Sequence, residues 1–232
     1  MAASLAALAA LVAVAFLGDL VRSYRLRPRP HVAAWAVAIL MYGLATWALF
    51  VGLAFGWNPA IFKAFYYFGA IVNVPFLALG SAYLVLGRRV AGVLLVALLA
   101  FAAVAAVVTL TAPFVRPLPD GALPSGRETF SFLGPRIWAL VGNSLGTLLL
   151  LVLALLTVAR FWRSNRALAV GNLLIVLGVL APAVSGTIVA FFREAEAFAL
   201  SLLLGAVLLW AGYRLATGAR RRPLDEYKPA VG

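Results

Sequence analysis

The chain has 232 residues, 65% of them hydrophobic and 11% charged, with a mean hydropathy of +1.06 and a net charge of +12. A soluble domain is nearer half apolar and a quarter charged, so a soluble core does not account for this composition. The net charge would point to nucleic acid in a soluble protein, but in a membrane protein it reports topology, and no nucleic-acid partner is expected. Cysteine is absent, which excludes disulfides, thiolate metal sites and cysteine nucleophiles, and the one histidine, His31, excludes bis-histidine haem and most histidine metal sites.

A helix needs about 20 apolar residues to cross a bilayer. Seven segments qualify, so the sequence predicts an all-α membrane protein. Its bundle of seven transmembrane helices occupies residues 1–218, and a basic tail follows over 219–232. The first span covers about 3–21. Its alanines would suit signal-peptide cleavage, yet the basic cluster follows the apolar run instead of preceding it, so the span is expected to be retained. Asp19 sits within one turn of Arg22 and is expected to pair with it. The second span, about 32–56, ends in "GLAFG", whose Gly52 and Gly56 match the close-packing G-x-x-x-G pattern.

The third span, about 60–86, carries Lys63, Tyr66, Tyr67, Asn73 and Pro75. At α-helical spacing the four polar residues share one broad face from the membrane surface to its middle. Pro75 frees a backbone carbonyl, which the Asn73 amide could satisfy. A fourth span covers about 90–112. The segment 113–135, "PFVRPLPDGALPSGRETFSFLGP", reads as a loop with little regular structure. The fifth span, about 136–159, aligns Arg136, Asn143 and Thr147 on one face, with Gly142 and Gly146 in "GNSLG", and then becomes wholly apolar. The sixth, about 167–191, has Pro182, Ser185 and Thr187 in one half. The seventh, about 197–216, begins beside Glu194 and Glu196. Trp57, Trp138, Trp162 and Tyr213 fall where interfacial aromatic belts form.

The connections after spans 1, 3 and 5 and the tail hold fourteen of the nineteen Lys and Arg residues; the other five are Lys63, Arg116, Arg127, Arg136 and Arg193. Positive charge near span ends stays cytoplasmic. The expected orientation is therefore N-terminus outside and C-terminus inside, in a cytoplasmic membrane, and the excess of arginine over lysine fits a bacterial, GC-rich source. This topology resembles that of microbial rhodopsins, which implies a retinal lysine in span 7, but "EAFALSLLLGAVLLWAGYRLATG" has none and no cofactor is expected. It is also similar to the seven-span sensor modules of bacterial histidine kinases and to three-plus-one-plus-three carriers of sugars or vitamins.

No H-E-x-x-H, G-x-S-x-G or phosphate-binding glycine loop is present, and the protein is expected not to be an enzyme. Intramembrane polar groups usually face a bundle interior or a water-filled cavity. The expected site is an outward-facing small-ligand cavity lined by Lys63, Tyr66, Tyr67, Asn73, Arg136, Asn143, Thr147 and Ser185, as in a receptor or carrier. The competing expectation is a structural or accessory subunit contacting lipid or quinone, in which these residues only hold helices together. Expected partners are membrane lipids, a ligand from outside, and a packing partner at Gly52/Gly56 or Gly142/Gly146.

Overall fold

The structure, a computed structural model, describes residues 1–119, 122–192 and 195–218, without the side chains of 185–192. The expected roles of Ser185, Thr187, Arg193, Glu194 and the 219–232 tail thus lie outside the described residues. The described chain is all helical, with no strand. Seven helices are long and apolar enough to cross a membrane, as in a multi-pass integral membrane protein: α1 (Ala2–Leu26), α2 (Pro30–Phe55), α3 (Pro59–Val85), α4 (Gly87–Thr111), α5 (Ile137–Phe161), α6 (Arg166–Phe192) and α7 (Ala195–Gly218).

Local signals set the helix limits. Pro30 and Pro59 stand in first turns, where the missing N–H has no acceptor to lose, and the Asn58 side chain caps α3 by accepting from the Ile61 N–H at 2.9 Å. Gly56 (φ +94°) and Gly87 (φ +83°) take left-handed backbone at the two sharpest reversals. The 113–135 segment contains one helical turn, Gly126–Thr129, and an irregular turn, Phe132–Arg136, that leads into α5. It closes on itself through the Val115 N–H, which donates to the Thr129 carbonyl at 2.9 Å, and buries Leu123 and Phe130.

Six helices form a ring: α1 packs on α2 and α7, α7 on α6, α6 on α5, α5 on α3, and α3 on α2. α4 leans on α3 outside the ring. Only 17% of its apolar window is buried, against 50% for α3. The N-terminus and the 56–59 and 112–135 connections gather at one end, the N-terminal end; the 27–29, 86 and 162–165 connections gather at the other, the arginine-rich end.

The tightest pair is α6 with α7. A Cβ on Gly171 would lie 2.8 Å from the Gly212 carbonyl, and one on Gly212 would lie 2.6 Å from the Gly171 carbonyl. Gly178 and Gly205 repeat this reciprocity at 3.0 and 2.8 Å. The two antiparallel backbones touch where side chains are absent. The glycine pairs expected to meet a partner are used within the chain. Gly52 lies under the Trp57 ring, Gly56 serves the turn, and Gly142 and Gly146 press α5 onto the Ile71 carbonyl and Pro75 of α3.

Arg22 acts on Asp19 through its charge, but the hydrogen bonds of Asp19 go to α7. Its carboxylate accepts from Trp210 Nε1 at 2.7 Å and Arg214 Nε at 2.8 Å, tying α1 to α7. Both partners lie nearly two hundred residues away, beyond the reach of a within-helix reading. Tyr213, expected at a membrane interface, is instead 5% exposed in the core, with its ring 5.5 Å from Phe16 and 5.8 Å from Trp35.

Candidate functional site

α3 controls where the expected site residues point. Its middle turn, Tyr67–Val72, is π-helical, which places an extra residue in the helical path just before Asn73 and Pro75. The single polar face expected from 3.6-residue spacing is therefore broken. Lys63 and Tyr67 turn toward α4. Lys63 Nζ donates to the Leu110 carbonyl at 2.7 Å and lies 5.5 Å from the Phe114 ring. That carbonyl belongs to the last turn of α4, where helix oxygens lack an internal partner and favour a cation. Tyr67 donates to the Ala102 carbonyl at 3.0 Å.

Asn73 turns the other way. Its amide donates to the Ala38 carbonyl of α2 at 2.7 Å in a buried interhelical bond, not to the carbonyl that Pro75 releases. Tyr66 stays on the N-terminal side, with its ring 5.1 Å from Phe130 and a Cβ at Gly126 only 2.2 Å from it. The 113–135 loop thus sits directly on this ring. Arg136 stacks over Phe132 at 5.4 Å. Asn143 and Thr147 are half-buried on α5 beside Gly142 and Gly146. The structure does not gather these residues around one space. Rings fill the N-terminal end: Phe62 lies 5.5 Å from Phe130, 6.0 Å from Phe114, 6.0 Å from Tyr66 and 5.8 Å from Trp57. The buried Trp57 indole N–H is left without a partner among the described residues.

A cavity of about 1200 Å³ lies at the opposite, arginine-rich end, between the ends of α1, α2, α3, α5, α6 and α7. None of the seven expected residues whose side chains are described lines it. Its mouth carries Arg27, Arg29, His31 and Arg160. Below them come Ser23, Ser81, Thr157, Asn172 and Thr217, and the remaining wall includes Trp35, Leu153 and Ile175. Thr157 donates to the Leu153 carbonyl at 2.8 Å, Asn172 to the Leu168 carbonyl at 2.9 Å and Thr217 to the Tyr213 carbonyl at 2.8 Å. Bonds of this kind satisfy the donor inside its own helix and leave the oxygen able to accept.

Trp35 fixes one wall. Its Nε1 donates to the Leu77 carbonyl at 3.2 Å, and its ring fills the space where a Cβ on Gly80 would stand, 2.0 Å away. The cavity itself follows from helix divergence. α3 and α5 are in backbone contact at Pro75 and Gly146 but flank the cavity about two to four turns later, at Ser81 to Val85 and Leu153 to Phe161. The sequence signal for these lining residues was weak, because each helix contributes one or two small polar groups near its basic end. Arg27 and Arg29 were noted only for topology. No protein-family model matches the chain, and no curated protein matches it as a relative.

Proposed function

We propose that the chain is a non-enzymatic protein of the cytoplasmic membrane that holds a small ligand, in the manner of a receptor or a carrier. Its N-terminus is outside, and the arginine-rich end faces the cytoplasm. The observation that carries this reading is the cavity of about 1200 Å³ at the arginine-rich end. Membrane-protein pockets form between bundle helices with a few convergent polar groups on a mainly apolar wall, and this lining has that character. The ligand site thereby moves from the outward side expected from the sequence to the cytoplasmic side.

Among the described residues no carboxylate lines the cavity, which argues against acid–base catalysis there. The ring cluster around Phe62 and Phe130 would have to open for a solute to pass, which favours ligand holding over transport. The second reading, a structural or accessory subunit contacting lipid or quinone, is favoured by Lys63, Tyr67 and Asn73, each of which bonds a neighbouring helix.

The cysteine-free chain provides its own test. Ser81→Cys, in the cavity, should react with a membrane-impermeant maleimide in inside-out vesicles and not in right-side-out cells. Leu150→Cys, fully buried, should react in neither. Ser81→Cys labelling as slowly as Leu150→Cys from both sides, and again in phosphatidylcholine vesicles, would remove the ligand-cavity reading and leave the structural one.

A further inference from the structure

We propose that the cavity takes an anionic lipid from the adjoining leaflet, its headgroup on Arg27, Arg29 and Arg160 and its chains against the apolar wall. This rests on the reading that the cavity holds a ligand. Charge is the first observation. Among the described residues three arginines line the mouth and no acidic residue lines any part of the cavity. The one acid described at that end, Asp19, is already engaged by Arg214 and Trp210. Guanidinium groups gathered without a carboxylate fit phosphate or carboxylate oxygens through paired N–H donors.

The linker geometry aims two of them together. α1 stops at Leu26, and Arg27 and Arg29 have extended backbone, with φ of −148° and −129°. Residues two apart on an extended chain project to the same side. Pro28 between them and Pro30 after them each fix their own φ and hold the strap stiff. Arg160 closes the mouth from α5, with its guanidinium 5.7 Å from the Phe161 ring.

Depth and access distinguish a lipid from a soluble anion. An inorganic ion would use the mouth alone. Leu153, Ile175 and Trp35 give the cavity apolar wall that only hydrocarbon would fill, and its volume exceeds the roughly 300–1000 Å³ of ordinary small-molecule pockets. Sideways access lies where α3 and α5 diverge. Val85 and Leu156, which line the cavity from these two helices, are 43% and 56% exposed, and no residue of α4 lines the cavity. An acyl chain can therefore lie through this gap while its headgroup stays at the membrane surface.

The test uses the full chain carrying Ser81→Cys in nanodiscs, labelled with an uncharged maleimide. Phosphatidylglycerol should slow labelling about tenfold relative to phosphatidylcholine, as for a site held at ten times its dissociation constant. Ser164→Cys, exposed at the same end but outside the cavity, should label equally in both. Combining Arg27→Gln, Arg29→Gln and Arg160→Gln should abolish the protection, and Arg160→Gln alone should weaken it. Native mass spectrometry of the unmutated chain should show retained phosphatidylglycerol, which keeps the inference testable if the triple variant fails to fold. Protection by inorganic phosphate in phosphatidylcholine discs, with none from phosphatidylglycerol, would overturn the lipid in favour of a free anion. Rapid labelling in every disc would overturn the inference while the cavity reading stands. No labelling in any disc would overturn both.

Discussion

At the N-terminal end, Phe130 meets Phe62, Tyr66 and Phe114 with ring centroids 5.1–5.5 Å apart, and a loop is folded onto the cluster. At the arginine-rich end, the same helices separate around about 1200 Å³. The N-terminal end holds most of the polar residues that looked like a site, yet it is the filled end. The other end, where span 5 reads as wholly apolar beneath a rim of arginines, is open. In a membrane bundle, polarity along a helix does not report space, because polar side chains are readily consumed by neighbouring backbone. Space is set by where backbones are allowed to touch and by how fast they diverge from that point. Gly142 and Gly146 make α3 and α5 touch near mid-helix, and the cavity begins beyond that contact.

The difference between the ends can be broken most strongly at Phe62, which is fully buried among five other rings. Phe62→Ala should cost about 3–5 kcal/mol, by analogy with buried aromatic truncations, and appear as a large fall in thermal midpoint of the detergent-solubilised chain. A loss near zero would mean that the N-terminal end is not tightly filled. Gly146→Leu attacks the pivot, since even a Cβ there would stand 2.8 Å from the Pro75 nitrogen. It should cost about 1–3 kcal/mol as overpacking. It should also speed maleimide labelling of Leu150→Cys, fully buried one turn along the same face of α5, as the helices part at the pivot; unchanged labelling would show that this contact does not separate the two ends. Ala154→Trp, on the cavity wall, should change stability least, by under about 1 kcal/mol, because the ring enters existing space. A collapse of the fold comparable to that of Phe62→Ala would show that the cavity is not available space.

Much of the fold was legible because bilayer thickness imposes length and apolarity on each span. The expected 3–21 and 136–159 lie within or close to α1 (Ala2–Leu26) and α5 (Ile137–Phe161), the helices simply extending into the polar boundary. The site was far less legible. A face drawn at 3.6 residues per turn joins Lys63, Tyr66, Tyr67 and Asn73, but the π-helical turn at Tyr67–Val72 sends them to different neighbours. That turn depends on packing and has no local sequence signature. The four-residue glycine pairs pointed to Gly52/Gly56 and Gly142/Gly146. The stronger clasp uses the seven-residue spacing of "GNLLIVLG" (171–178) and "GAVLLWAG" (205–212), whose pairing becomes visible only once the two helices are known to be antiparallel neighbours. The cavity residues were hidden for another reason. Divergence of two helices is a property of their crossing, and no single segment encodes it.

The closure of the ring through α1 and α7 has a consequence for biogenesis. Asp19 emerges from the ribosome long before Arg214 and Trp210, its partners 195 and 191 residues later in the chain. Until α7 is made, the cation that acts on that carboxylate from its own helix is Arg22. The α1–α7 contact cannot form before α7 is made, unlike contacts within units that fold independently. Ring completion waits on α7, which packs on α6 through Gly171, Gly178, Gly205 and Gly212.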